Sequence, residues 1–141
     1  MTEMSTGRPP HYDIEYDEIL AFKICNGLRP EFAEGTPECY IQLANQCMDA
    51  NPSNRPTAIV IFHILFYWCH IVDHAVAGNK NKRTILKSFQ AADANISTLP
   101  TELPIYTKDK LTSKLLNFRG LTEPINSFEK LPKLCANEET E

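Results

Sequence analysis

A short run of helix-breaking residues constrains the fold of this chain more than any other feature of its sequence. Asn51-Pro52 ends a segment with apolar residues at helical spacing, because a residue before proline is pushed out of the α region. Arg55-Pro56-Thr57 opens the next apolar segment, and the Thr57 hydroxyl is suited to cap a helix N-terminus. The pattern predicts two helices that meet at a corner. We expect the Arg55 guanidinium at this corner to bind a carboxylate or several carbonyl oxygens.

Apolar periodicity and end signals predict an all-α fold. Gly27 is expected to close one helix, and Thr36-Pro37 is expected to begin the next, with Thr36 as the capping residue and Pro37 at the first helical position. The four predicted helices cover about 15–26, 37–49, 58–76 and 84–95. After residue 97 the period is lost and prolines divide the sequence, so we expect a mostly irregular C-terminal tail.

The predicted helix 58–76 is the most apolar segment of the chain. A membrane-spanning helix is the alternative to a core helix here. The apolar run 58–72 would be only about 22 Å long at 1.5 Å per residue, against roughly 30 Å of hydrocarbon, and it contains His63 and His70. We therefore expect a core helix and no membrane span, with Trp68 largely buried. Its predicted buried stripe is Val60, Ile61, Ile64, Leu65, Trp68, Ile71 and Val72.

Composition favours one soluble, cytoplasmic domain. A chain of 141 residues seldom holds more than one core. Its 14 basic and 18 acidic side chains give a net charge of −4, which offers no basic surface for nucleic acid. The five scattered cysteines are expected to be reduced thiols. The N-terminal residues do not form the basic-then-apolar pattern of a signal peptide, so we interpret Asn95-Ile96-Ser97 as a chance match to a glycosylation site.

One pair of side chains suggests metal chemistry. His70 and His74 are spaced i, i+4 and could bind one zinc ion from a single helix. The glutamate that follows the first histidine in zinc hydrolases is absent, so an ordinary histidine pair is the expected structure. The five glycines form no phosphate-binding Gly-x-Gly-x-x-Gly loop.

Several stretches of the chain resemble, in order and at family spacing, the C-terminal lobe of eukaryotic protein kinases in its tyrosine-kinase-like form. Met48 stands where that family usually has tryptophan. Two pieces of the tail resemble the tails of a lineage-expanded kinase family of fungi. The lobe-like stretches are 7–11 (GRPPH), 24–30 (ICNGLRP), 35–40 (GTPECY) and 47–57 (CMDANPSNRPT), and the tail pieces are 116–119 (LNFR) and 123–126 (EPIN).

The resemblance implies a helical C-lobe fragment that starts near the end of the F helix. It divides the chain into a partial kinase-like lobe (1–78), a basic turn with a short helix (79–97) and an irregular tail (98–141). The family activity is ATP-dependent phosphorylation of proteins in signalling. The family's ATP, magnesium and catalytic residues precede this region, so no catalytic, cofactor or metal residue is expected in the chain. The family's structural motif falls on Asn51, Pro52, Arg55, Pro56 and Thr57, where Arg55 would pair with the glutamate of an Ala-Pro-Glu motif.

Protein partners are the expected ligands of this chain. In kinases the helix that matches 15–26 often docks partners, and an acidic cluster lies at its start: Asp13, Glu15, Asp17 and Glu18. The alternative is a solvated acidic face. A second functional hypothesis is a small helical protein–protein interaction module that uses the exposed face of this helix. A kinase fragment should expose apolar side chains where it meets the rest of the lobe, whereas an independent module should have polar residues there.

Overall fold

The computed structural model describes residues 1–74, 79–98 and 118–126, and in these ranges the chain is all-α, as predicted. The described ranges contain no strand. Two 3₁₀ turns, Pro52–Asn54 and Ile96–Thr98, accompany five helices: α1 (Thr2–Thr6), α2 (Glu18–Cys25), α3 (Glu38–Cys47), α4 (Ala58–His74) and α5 (Lys80–Asn95). Residues 75–78 and most of the predicted irregular tail lie outside these ranges.

Helix α2 begins three residues later than predicted, at Glu18. Its start is set by Asp17, whose carboxylate accepts a hydrogen bond from the backbone N–H of Leu20 at 2.9 Å. The prediction that the whole acidic cluster lies in the first helical turns is therefore wrong, since Asp13 and Glu15 precede the cap. Gly27 follows the helix with a φ of 95°, the left-handed backbone expected at this position.

We expect Asp17→Ala to lower the free energy of unfolding by about 1 kcal/mol, because the Leu20 N–H would lose its capping acceptor. Asp17→Asn is the matched control, since the amide oxygen can accept the same hydrogen bond. Urea denaturation followed by circular dichroism measures both variants. Equal stability of the alanine variant and the parent chain would show that the cap contributes nothing.

Helix α3 begins at Glu38, and the prediction that Thr36 caps this helix is wrong. Pro37 occupies the capping position rather than the first helical position, and no side chain caps the helix. The Thr36 hydroxyl instead donates to the carbonyl oxygen of Ala33 at 2.7 Å, which closes the preceding turn. The buried side of α3 carries Leu43, whose side chain is 0% exposed.

Helix α5 begins at Lys80, four residues before the predicted start. The side chain of Asn79 accepts a hydrogen bond from the Asn81 N–H at 2.9 Å and caps the helix. The basic run 80–83 is therefore helical and not a turn. Positive side chains are unfavourable at a helix N-terminus, so the Asn79 cap is the local signal that places the helix start here.

The buried apolar side chains come from α2, α3 and α4: Leu20, Leu43, Ala44, Trp68 and Ile71. Trp68 of α4 is 6% exposed, which confirms its predicted burial. Its ring centroid lies 6.5 Å from that of Tyr40 in α3 and 5.8 Å from that of Phe89 in α5. Ile71 is buried beside it. Three other positions of the predicted buried stripe are wrong, because Val60, Leu65 and Val72 are more than a third exposed.

Candidate functional site

The corner between α3 and α4 holds Arg55 at the surface. The Nε–H of Arg55 donates to the carbonyl oxygen of Asp49 at 2.8 Å, and the side chain is exposed. Across the described ranges no carboxylate forms an ion pair with its guanidinium. A carboxylate or several carbonyl oxygens were expected as partners of this side chain, and the described residues provide one carbonyl bond, to Asp49.

Asp49 and Asn51 build the corner through local hydrogen bonds. The Asp49 carboxylate accepts the N–H of Asn51 at 2.8 Å and the side-chain N–H of Asn54 at 3.3 Å. The bond from the Asn51 backbone N–H is the largest cause of a lowered pKa of Asp49, because it stabilises the charged form. Asn51 in turn accepts the N–H of Ser53 at 2.9 Å and caps the 3₁₀ turn Pro52–Asn54. The family-like motif thus fixes the shape of the corner.

We expect Arg55→Met to change the free energy of unfolding by less than about 1 kcal/mol, because an exposed arginine with one carbonyl partner contributes little. A buried, paired arginine would instead cost several kcal/mol on replacement. Thermal melting of both proteins measures the difference. A loss of several kcal/mol would reveal a buried partner for this side chain.

The described part of the tail, 118–126, joins this corner to the end of α2. The N–H of Ile125 donates to the carbonyl oxygen of Cys25 at 2.9 Å. The side-chain oxygen of Asn126 accepts the N–H of Ala50 at 2.9 Å. The tail piece 123–126 and the corner 47–57 are therefore in direct contact.

The predicted docking residues all lie at the surface, with different local roles. Asp13, Glu15 and Glu18 are exposed, whereas the carboxylate of Asp17 is committed to the helix cap. Asp13 lines a cleft of about 560 Å³ between the 8–14 and 28–34 loops. The exposed face of α2 is apolar, with Ile19 63% and Phe22 49% exposed. A partner on this face would therefore contact apolar side chains more than carboxylates.

A groove of about 640 Å³ lies beside α2, between its C-terminal half and α3. Lys23 and Arg29 provide positive charge at this groove, and Nη1 of Arg29 is bonded to the carbonyl oxygens of Ile24 and Leu28. Its apolar lining is formed by Phe22, Leu28, Pro30, Phe32 and Ile41. The mixture of apolar walls and a few polar groups is typical of a ligand site.

Asn45 lines the same groove and is the functional candidate that the sequence interpretation missed. Its side-chain oxygen is buried and accepts no hydrogen bond from the described residues. A buried acceptor without a partner is costly, so such groups are uncommon in folded proteins. One sequence signal could have indicated this residue. Ile41 and Asn45 are spaced i, i+4, so a polar amide lies on the same helix face as an apolar side chain.

The histidine pair has the proximity expected from its spacing. The ring centroids of His70 and His74 lie 4.4 Å apart in an edge-to-face arrangement. Within residues 1–74, 79–98 and 118–126, no group of three or more potential metal ligands is found. The geometry therefore offers two imidazoles on an exposed helix surface and no third protein ligand among these residues.

The cysteines in the described ranges are free thiols. Cys25, Cys39 and Cys47 are half-buried, Cys69 is exposed, and Cys135 lies outside these ranges. Burial raises the pKa of the Cys39 thiol, and burial also raises that of Cys47. Both thiols therefore favour the protonated, less reactive form.

One stretch of the described chain, Pro52–His74, is long and apolar enough to cross a membrane by length and composition alone. Its mean hydropathy is 1.4, and 11% of the most apolar window is buried in the fold.

Comparison with protein-family models, curated proteins and solved structures finds no match.

Proposed function

We propose that this chain is the helical C-lobe part of a protein-kinase-like protein of cytoplasmic signalling. The observation that carries the proposal is the contact between two stretches that resemble kinases independently. Ala50 in the corner motif donates to Asn126 in the tail piece, and the residues are far apart in the sequence. A shared origin of the two stretches accounts for their joint presence and for their contact.

In this proposal the chain supplies a structural base and a protein-binding surface, and it carries no catalytic residue. Phosphoryl transfer to a protein side chain needs residues that position ATP and magnesium, and the proposal places these residues in polypeptide outside this chain. The exposed apolar face of α2 supports the proposal, because such surfaces are normally covered in a complete fold.

Mapping the 5′ end of the natural transcript tests this proposal. We expect an in-frame coding segment upstream of Met1 that encodes an Ala-Pro-Glu motif followed by the first half of an apolar helix. A transcript whose in-frame upstream region contains a stop codon, with no kinase-like segment, would contradict it. The control is the same mapping for an unrelated gene from the same RNA sample.

A second candidate function is a helical protein–protein interaction module, and the groove between α2 and α3 favours it. The groove could accept one apolar side chain of an extended peptide against Phe22 and Ile41. Lys23 and Arg29 would favour a peptide with a nearby carboxylate.

Selection of peptides from a displayed random library, with the purified chain as bait, tests the second function. We expect selected peptides to share an apolar residue beside an acidic one and to lose affinity at least tenfold for Ile41→Ser. The matched control is Ile96→Ser, an exposed apolar position outside the groove lining. If the peptides bind both variants and the parent chain equally, their binding site lies elsewhere, and the proposal that the groove binds peptides is wrong.

A further inference from the structure

Helix α4 carries a second apolar stripe, on the side opposite to its packed face. The packed face holds Trp68 and Ile71. The outer stripe, with alternating spacings of three and four, consists of Ile59, Phe62, Phe66, Cys69 and Asp73. Ile59 is 60% exposed, Phe62 58% and Phe66 63%. Contiguous exposed apolar side chains of this kind mark interaction sites, so we expect this outer stripe to have a cover.

We propose that the outer stripe is covered by the same stripe of a second copy of this chain, packed antiparallel about a two-fold axis at the level of Ile64. The apolar residues of the outer stripe lie at equal distances before and after Ile64, so the two antiparallel copies place apolar side chains opposite each other. The two-fold axis places Phe62 of each copy beside Phe66 of the other, and Ile59 beside Cys69. Self-complementarity of one surface patch is the requirement for a two-fold dimer. This interface goes beyond the proposed kinase-like function and does not depend on it.

Charge determines the antiparallel arrangement. Asp73 is the only carboxylate in α4, which contains no lysine or arginine. Parallel packing in register would bring the two Asp73 carboxylates together. Antiparallel packing brings each toward the N-terminal end of the other copy's α4, where Arg55 precedes the helix. The terminal nitrogens of Arg55 have no acceptor among the described residues, so they are available for that carboxylate.

A lipid surface fits the outer stripe less well than a second copy does. Helices that lie on membranes carry lysine and arginine on the flanks of their apolar face, and α4 has neither. A spanning orientation would require lipid around the whole helix, yet Trp68 already packs against Tyr40 and Phe89.

The area of the stripe indicates a weak, reversible dimer. An aromatic side chain has about 150–250 Å² of surface, so the two exposed phenylalanines offer roughly 200–300 Å² per copy. Ile59 and the flanking Leu65 extend this patch. The total for two copies stays below about 1,200 Å², the range of weak, transient complexes rather than of stable ones.

Sedimentation velocity of the full chain from about 1 to 500 μM tests the dimer. We expect a reversible monomer–dimer equilibrium whose dissociation constant rises at least tenfold in Phe66→Ser. Ile96→Ser is the matched control, because it removes an equally exposed apolar side chain away from α4 and should leave the constant unchanged. Circular dichroism verifies that each variant is folded.

Charge exchange tests the register. Asp73→Arg should raise the dissociation constant about two- to tenfold, the range expected for losing two exposed ion pairs. The double variant Arg55→Asp/Asp73→Arg should restore it. A monomer at every concentration would overturn the proposal, as would a dimer that is insensitive to Phe66→Ser. Binding of a monomeric chain to neutral phosphatidylcholine vesicles, lost in Phe66→Ser, would assign the stripe to lipid instead.

Discussion

Replacing Trp68 with alanine is expected to lower the free energy of unfolding by about 3–5 kcal/mol. The side chain is 6% exposed and its ring contacts Tyr40 and Phe89, so it connects α4 to both neighbouring helices. Alanine would leave a cavity at the junction of three helices. A small chain has a net stability of only about 5–15 kcal/mol, so this loss is a large share of the total.

Urea denaturation followed by circular dichroism measures the effect of this substitution, because the chain contains no second tryptophan to report it by fluorescence. Trp68→Phe is the matched control and should cost less, since a six-membered ring remains between Tyr40 and Phe89. Native emission already at the wavelength of fully solvated indole would contradict the buried position. An alanine variant as stable as the parent would contradict the junction role.

The existence of the helices follows from the sequence, whereas their ends depend on particular hydrogen bonds. Apolar residues at helical spacing predict the segments that become α2 to α5. The true starts of α2 and α5 are set by the side chains of Asp17 and Asn79, each of which accepts a backbone N–H. Several nearby residues could cap equally well by type, and only the folded backbone selects one of them.

The centre of the packed face of α4 was predicted, since Trp68 and Ile71 are both buried, but the width of that face was not. Periodicity places Leu65 and Trp68 on one predicted stripe, but Trp68 is buried and Leu65 is 38% exposed. The difference arises from where α3 and α5 lie against α4. Those positions depend on the complete tertiary fold and not on the pattern of one helix.

The corner was predictable in its local structure, and its tail contact was not. Proline after Asn51 and the motif around Arg55 indicate a bend with an arginine at the surface, as observed. The bond between Ala50 and Asn126 joins segments 76 residues apart, and no local pattern specifies it. The groove has the same origin, because Phe22 of α2 and Ile41 of α3 meet only through tertiary packing.

Replacing Asn45 with leucine is expected to raise the free energy of unfolding by about 1–3 kcal/mol. The Asn45 side-chain oxygen is buried and accepts no hydrogen bond from the described residues, so the native chain carries the cost of its lost hydration. Leucine has a similar shape and no polar atom, and it would add apolar contact beside Ile41 in the groove.

The same substitution should weaken the binding of peptides selected on the groove, because it changes the shape and polarity of the groove wall at residue 45. The matched control is Gln46→Leu, the same kind of change at an exposed position of α3, which should alter stability by no more than about 0.5 kcal/mol. Thermal melting and peptide titration by fluorescence polarisation measure the two effects. A more stable variant with weaker binding means that Asn45 is retained for recognition at the expense of stability. A less stable variant would show that the oxygen already has a partner in the folded chain.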